Sequence, residues 1–153
     1  LCRPPRLIDA IKVKKIASVF ADSPVLSAVE AFREYKQKTL IVYDHGTMAG
    51  VINSYGLYAQ IESRIKTGDD LTAFFTNTPC RAILCEEDML KYRIMSQDAT
   101  VFEIFVAFEE KKDLLAVIVT EHGVFGEKAL SIVTPSDFPR INRFLENYNA
   151  KPF

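Results

Sequence analysis

Apolar residues along this chain switch between helical and strand spacing in an order that occurs twice. In the first half, Val25, Val29 and Phe32 fall at i, i+4 and i+7, one buried helical stripe. Asp22-Ser23-Pro24 stands in front of it, with either polar residue able to cap and proline suited to a first turn. Leu40-Ile41-Val42 is a continuous apolar run, as expected of a strand covered on both faces. Asp44-His45-Gly46 supplies a turn, and Val51-Ile52 leads into a helix predicted over 54–66. Leu57, Ile61 and Ile65 share one side of that helix. The second half repeats the order more clearly. Val101, Ile104, Phe105 and Phe108 mark a helix, Ala116-Val117-Ile118-Val119 a strand, and Glu121-His122-Gly123 a turn. Each half reads β-α-β-β-α.

The two halves also align residue by residue. Asp22–Phe32 matches Asp98–Phe108 at an offset of 76 residues. Val51-Ile52-Asn53-Ser54-Tyr55-Gly56-Leu57 matches Ile132-Val133-Thr134-Pro135-Ser136-Asp137-Phe138, where the offset from Asn53 to Thr134 is 81. The second hairpin is therefore five residues longer, around His122–Glu127. A repeated supersecondary unit signals halves that need each other to close a core. Between them, Thr67-Gly68-Asp69-Asp70 breaks a helix and recaps a short piece ending near Asn77. The stretch 78–97 links the repeats, with strands predicted over 81–85 and 91–95. Phe74 and Phe75 are expected to pack against the second repeat. The resulting division is an arm or linker at 1–12, a first repeat at 13–66, a linker at 67–77, a second repeat at 78–145 and a tail at 146–153.

Composition narrows the function classes. The 153 residues are 48% hydrophobic and 25% charged, enough for a core and its cover. A net charge of −1 recruits neither nucleic acid nor an anionic membrane by bulk electrostatics. The longest apolar run, Leu114–Val119, is too short to span a bilayer, and no secretory leader is visible. Three cysteines do not form an even disulfide framework. A cytoplasmic protein is expected.

The chemistry concentrates at Ile132-Val133-Thr134-Pro135-Ser136-Asp137-Phe138, where a short strand runs into a helix. A hydroxyl, free backbone N–H groups and a carboxylate then surround one point, as a phosphorylated ribose requires. The bland alternative is an ordinary helix start, since threonine and aspartate both cap well. With its repeats and this segment, the chain resembles a tandem pair of cystathionine-β-synthase (CBS) domains, a regulatory module, over roughly 13–145. The resemblance implies an α/β (α+β) fold of two β-α-β-β-α repeats packed as a pseudo-two-fold pair. It also implies clefts for adenosine derivatives, with Asp137 on the ribose hydroxyls and Thr134 on phosphate. Arg140, one turn on, is the nearest cation for that phosphate, and Ile132, Ala116 and Val117 are the expected wall for adenine. In the first copy Asn53 replaces Thr134 and Gly56 replaces Asp137. That copy is read as a degenerate site, because Gly56 offers no ribose acceptor.

Other constellations are weaker. Cys80, Cys85, His45 and His122 lack the paired spacing of a metal site, so no metal is expected and each cysteine is read as a structural thiol. No sequence context suggests a nucleophile, and no cofactor is required. Two readings stand: a sensor of AMP, ADP, ATP or S-adenosylmethionine that modulates an attached or partner effector, and a ligand-free dimerisation scaffold of a larger protein. An enzyme ranks last. The resemblance further implies a homodimer.

Overall fold

The computed structural model describes residues 4–10 and 15–150; arm residues 1–3 and 11–12 and tail residues 151–153 lie outside them. In chain order the elements are α1 Leu7–Ala10, β1 Ser18–Phe20, α2 Val25–Tyr35, β2 Thr39–Asp44, β3 Thr47–Asn53 and α3 Ser54–Thr67. They continue as α4 Leu71–Asn77, α5 Glu86–Met89, β4 Tyr92–Ser96, α6 Val101–Glu110, β5 Ala116–Thr120, β6 Ser131–Val133 and α7 Phe138–Ala150. The expected β-α-β-β-α order is present twice, as β1-α2-β2-β3-α3 and β4-α6-β5-β6-α7. The chain divides into two compact units. One is Ile16–Met89; the other takes, among the described residues, 90–150 together with 4–10 and 15.

In the first unit, β1 lies parallel to β2 with Val19 opposite Val42, and β2 pairs antiparallel with β3. Val25, Ala28 and Ala31 of α2 pack on Leu40, Val42 and Ile52, so the i, i+3 and i+6 positions carry the helix's contact. The segment expected as a linker at 67–77 instead contributes to this core. Asp70 caps α4 by accepting from the Ala73 N–H at 3.2 Å, and Phe74 is buried with Phe75 packed beside it. Both phenylalanines thus belong to the first unit's core, contrary to the expectation that they pack on the second repeat. Ile65 also departs from expectation: it is exposed, because the apolar stripe of α3 is used only as far as Leu57 and Ile61.

The strand predicted over 81–85 is a 3₁₀ turn at Cys80–Ile83. Its N–H groups are taken by the carbonyls before α2: Cys80 N–H donates to Ser23 O and Arg81 N–H to Ala21 O, each at 2.8 Å. Arg81 then donates to Asp22 and Asp44, at 2.7 and 3.3 Å. Asp22 is therefore engaged in an ion pair rather than capping α2, and Pro24 stands at the cap position with no side-chain bond. The N–H of Val25 is satisfied by Thr78 O at 2.9 Å.

The second unit repeats this sheet, with β4 parallel to β5 and β5 antiparallel to β6. Thr100 and Glu103 form the reciprocal capping box of α6. Phe138 at the start of α7 meets Phe105 and Phe108 edge-on, each with ring centroids 5.2 Å apart. Here too the core needs a distant segment. Val101 N–H donates to Pro5 O and Leu7 N–H to Ala99 O, each at 3.0 Å, and Leu7 is fully buried among Val101, Ile104 and Ile141. Residues 78–80 do the same for the first unit. The stretch before the first repeat thus completes the second unit, and the stretch after the first repeat's last helix completes the first. Of the residues expected as an arm, Leu7 and Ala10 enter that core, while Pro4, Arg6 and Asp9 stay exposed.

The five-residue insertion forms a loop organised by one carboxylate. Glu127 Oε1 accepts from the Thr120 hydroxyl at 2.9 Å and from the His122 and Val124 N–H groups at 3.0 Å. Its Oε2 lies 2.7 Å from His122 Nδ1. Gly123 turns with φ +72°, and a Cβ there would stand 2.8 Å from Ser96 N, so only glycine fits. Desolvation pushes the Glu127 carboxyl up, but the Val124 N–H, the His122 ring, the Thr120 hydroxyl and the His122 N–H outweigh it and hold the pKa at about 2. His122 is raised above its usual 6.5, first by its hydrogen bond to Glu127 and then by Glu121.

Two outcomes follow from these contacts. Leu7→Ala should destabilise the chain by about 2–5 kcal/mol, the range for a leucine truncated in a closed core; chemical denaturation measures this, and a surface arm would give almost none. The Glu127 contribution is complete above pH 4.5 and lost as pH falls toward 2, while that of His122 is complete below pH 6.5 and lost above its raised pKa. Acid unfolding followed by circular dichroism should therefore be steeper between pH 4.5 and 2 in the wild type than in Glu127→Gln.

Candidate functional site

A helix that starts at the end of a buried strand leaves its first N–H groups without helical partners. At the end of β6 this need is met inside the motif. Asp137 Oδ2 accepts from the Thr134 N–H at 2.9 Å, and the Asp137 N–H donates to Thr134 O at 2.9 Å. Thr134 is extended, with φ −119° and ψ 165°, and Pro135–Asp137 form a 3₁₀ turn that runs into α7. Pro135 fits because the first helical position has no N–H to lose. The Asp137 side chain is 2% exposed. Such a carboxylate needs compensation, and Arg140 supplies a charge at 3.9 Å from Oδ1 while remaining 40% exposed itself.

Of the other expected residues, Ile132 is half-buried on β6 and pairs with Ile118 on β5. Ala116 and Val117 are buried. Val117 packs in the second unit's core with Val101 and Ile104, on the helix-covered side of β5. The structure therefore brings Thr134, Asp137 and Arg140 together and puts Val117 beneath the helices. Sequence reading passed over Ser136, whose hydroxyl lies 2.6 Å from Thr134 Oγ1. Two adjacent hydroxyls in a Thr-x-Ser turn were the available signal.

The matching junction in the first unit is built differently. Asn53 Oδ1 accepts from the Gly56 N–H at 2.7 Å and so caps α3. Gly56 lies in the first turn of that helix, and Asn53 is buried.

The residues weighed for a metal do not assemble as such. Among the described residues, Glu121, His122 and Glu127 are the group whose ligand atoms lie within 4.8 Å of one another, and no cysteine belongs to it. Glu127 is already committed to the loop backbone there. Cys80 is buried with its thiol pushed up to about 11 by desolvation, and its Sγ lies 3.6 Å from Pro24 O. Among the described residues, no helix is long and apolar enough to cross a membrane.

No protein-family model matches the chain, and no curated protein sequence does so either. Solved structures do match. CBSX2, crystallised in complex with AMP, shares 16% identity at TM-score 0.66, covering 95% of this chain and 98% of its own. A CBS domain-containing protein from Kribbella flavida shares 17% at TM-score 0.63, with 93% and 99% covered. Protein MJ1225 from Methanocaldococcus jannaschii shares 19% at TM-score 0.69; the match covers 93% of this chain and half the length of that one. The repeated β-α-β-β-α order and these likenesses agree: in fold, the chain is a tandem pair of CBS domains.

Proposed function

We propose that the chain is a regulatory module that binds an adenosine-type nucleotide at the second repeat and modulates an attached or partner effector. The observation that carries this reading is the Asp137 carboxylate, 2% exposed and placed at a strand-to-helix junction beside Arg140. An ionised carboxylate is an acceptor with room for two hydrogen bonds on each oxygen, which suits the two hydroxyls of a ribose. Arg140 and the N-terminus of α7 add the positive charge that a phosphate requires. The fold shared with CBSX2, a protein crystallised with AMP, supports the same ligand class. AMP, ADP, ATP and S-adenosylmethionine all present an adenosine. Ligand would act only through a difference in affinity between two states of the module.

The same reading is of a cytoplasmic homodimer that works without catalysis. Phe102 and Val106 lie one turn apart on α6, 54% and 51% exposed, and offer an apolar face for a second copy. That face also favours the second reading, a dimerisation scaffold without ligand, in which Asp137 serves only as a cap.

Calorimetric titration with the four ligands separates the two. Asp137→Asn keeps an acceptor for the Thr134 N–H but removes the charge, so the unliganded melting temperature should change little. Affinity at the second repeat should fall about tenfold or more, the worth of a charge-assisted hydrogen bond. Ligand at 100 times Kd should stabilise the wild type by about 2.7 kcal/mol. No heat from the wild type with any of the four ligands would support the scaffold.

A further inference from the structure

The hairpin turns of the two repeats each carry a carboxylate, a histidine and a glycine in sequence, and they use them differently. In the first turn, Asp44 Oδ1 lies 2.7 Å from His45 Nδ1, and the same carboxylate accepts from Arg81 at 3.3 Å. The residue before the histidine is thus spent on its neighbour's ring and on a guanidinium. In the second turn the inserted loop brings Glu127 to the ring instead. Its Oε2 lies 2.7 Å from His122 Nδ1, while its Oε1 holds the Thr120 hydroxyl and two loop N–H groups. Glu121, the residue before this histidine, is released from that duty, and its Oε1 stands 3.7 Å from His122 Nε2. A carboxylate only accepts, so Nδ1 carries a proton and, in the neutral ring, the lone pair lies on Nε2. The Glu127 side chain is 23% exposed, whereas those of His122 and Glu121 are 68% and 65% exposed and open to water.

We propose that His122 Nε2 and Glu121 Oε1 bind one divalent transition-metal ion of the zinc class, with Glu127 as the carboxylate that orients the ring. A metal-bound histidine characteristically donates its other ring N–H to a carboxylate, which fixes the tautomer and makes the bound nitrogen more basic. Two donors to one tetrahedral zinc stand about 3.4 Å apart, so a small rotation of the exposed Glu121 side chain completes the pair. Glu127 serves the ring and the loop rather than the ion. Water fills the remaining positions, which the exposure of both donors permits. The backbone beneath them is fixed, because a Cβ on Gly123 would meet Ser96 N at 2.8 Å and the turn lies close against β4. One imidazole with one carboxylate suits zinc or nickel, whereas magnesium and calcium prefer oxygen alone. The five-residue insertion is what creates the site: it supplies Glu127, and Glu127 frees Glu121.

Titration of the full chain with zinc chloride tests this, followed by calorimetry and by proton–nitrogen correlation spectra of the imidazole rings. Zinc should bind saturably and move the His122 Nε2 resonance while Nδ1 stays protonated. His122→Ala should abolish that event. Glu127→Gln should weaken it about tenfold or more, as loss of an orienting carboxylate does, and Glu121→Gln, which leaves the loop's hydrogen bonds intact, at least as much. His45→Ala and Cys85→Ala should leave it unchanged, and excess magnesium chloride should not compete. Asp137→Asn, which tests the nucleotide reading, should leave it unchanged as well. A His122 Nε2 resonance that zinc does not move would overturn the assignment. So would unaltered affinity in Glu121→Gln, or an event lost with His45 or Cys85 and kept in His122→Ala.

Discussion

A helix launched directly from a buried strand must find partners for its first N–H groups where water is scarce, and both repeats of this chain face that demand. The second repeat answers with Thr134 and Asp137, whose backbone and carboxylate satisfy each other. The first answers with Asn53, whose carbonyl caps Gly56. Either answer puts polar atoms at the edge of an apolar core, where their hydrogen bonds are stronger and errors cost more. On the proposed reading, the same atoms that close a helix also receive the ligand, so that the structural and functional roles of the motif would share one cause.

The rest of the fold holds those junctions still. Each three-stranded sheet is covered by two helices of its own repeat, and each core is finished by a stretch remote in sequence, residues 5–10 for one unit and 71–83 for the other. Backbone bonds from these stretches also meet the first N–H groups of α2 and α6, from Thr78 and Pro5. Helix starts are therefore tied down at both ends of the repeat. The loop 121–130, by contrast, is organised by polar groups around Glu127, which ties its order to the ionisation of that carboxyl.

Much of this was legible in the residues because apolar periodicity is a local signal. Val101, Ile104, Phe105 and Phe108 read as one face and pack as one face. Thr134 and Asp137 are three apart, so their meeting follows from helix geometry. What escaped depends on contacts between distant stretches. Leu7-Ile8-Asp9-Ala10 is too short to declare a helix, and nothing in it announces that Leu7 enters a core next to Ile141. Cys80–Ile83 has strand-like composition, but its N–H groups are claimed by Ala21 and Ser23, which bend it into a turn. The approach of Asp88 to Gly56 spans 32 residues, and only the fold brings it there.

The central claim is that the polar junction after β6 receives a nucleotide. Amide chemical-shift mapping of the isotopically labelled chain during AMP addition tests it most directly, because it reports position as well as binding. The account predicts saturable shifts concentrated at Thr134, Ser136, Asp137 and Arg140. Shifts confined to other segments, or none up to millimolar AMP, would contradict it.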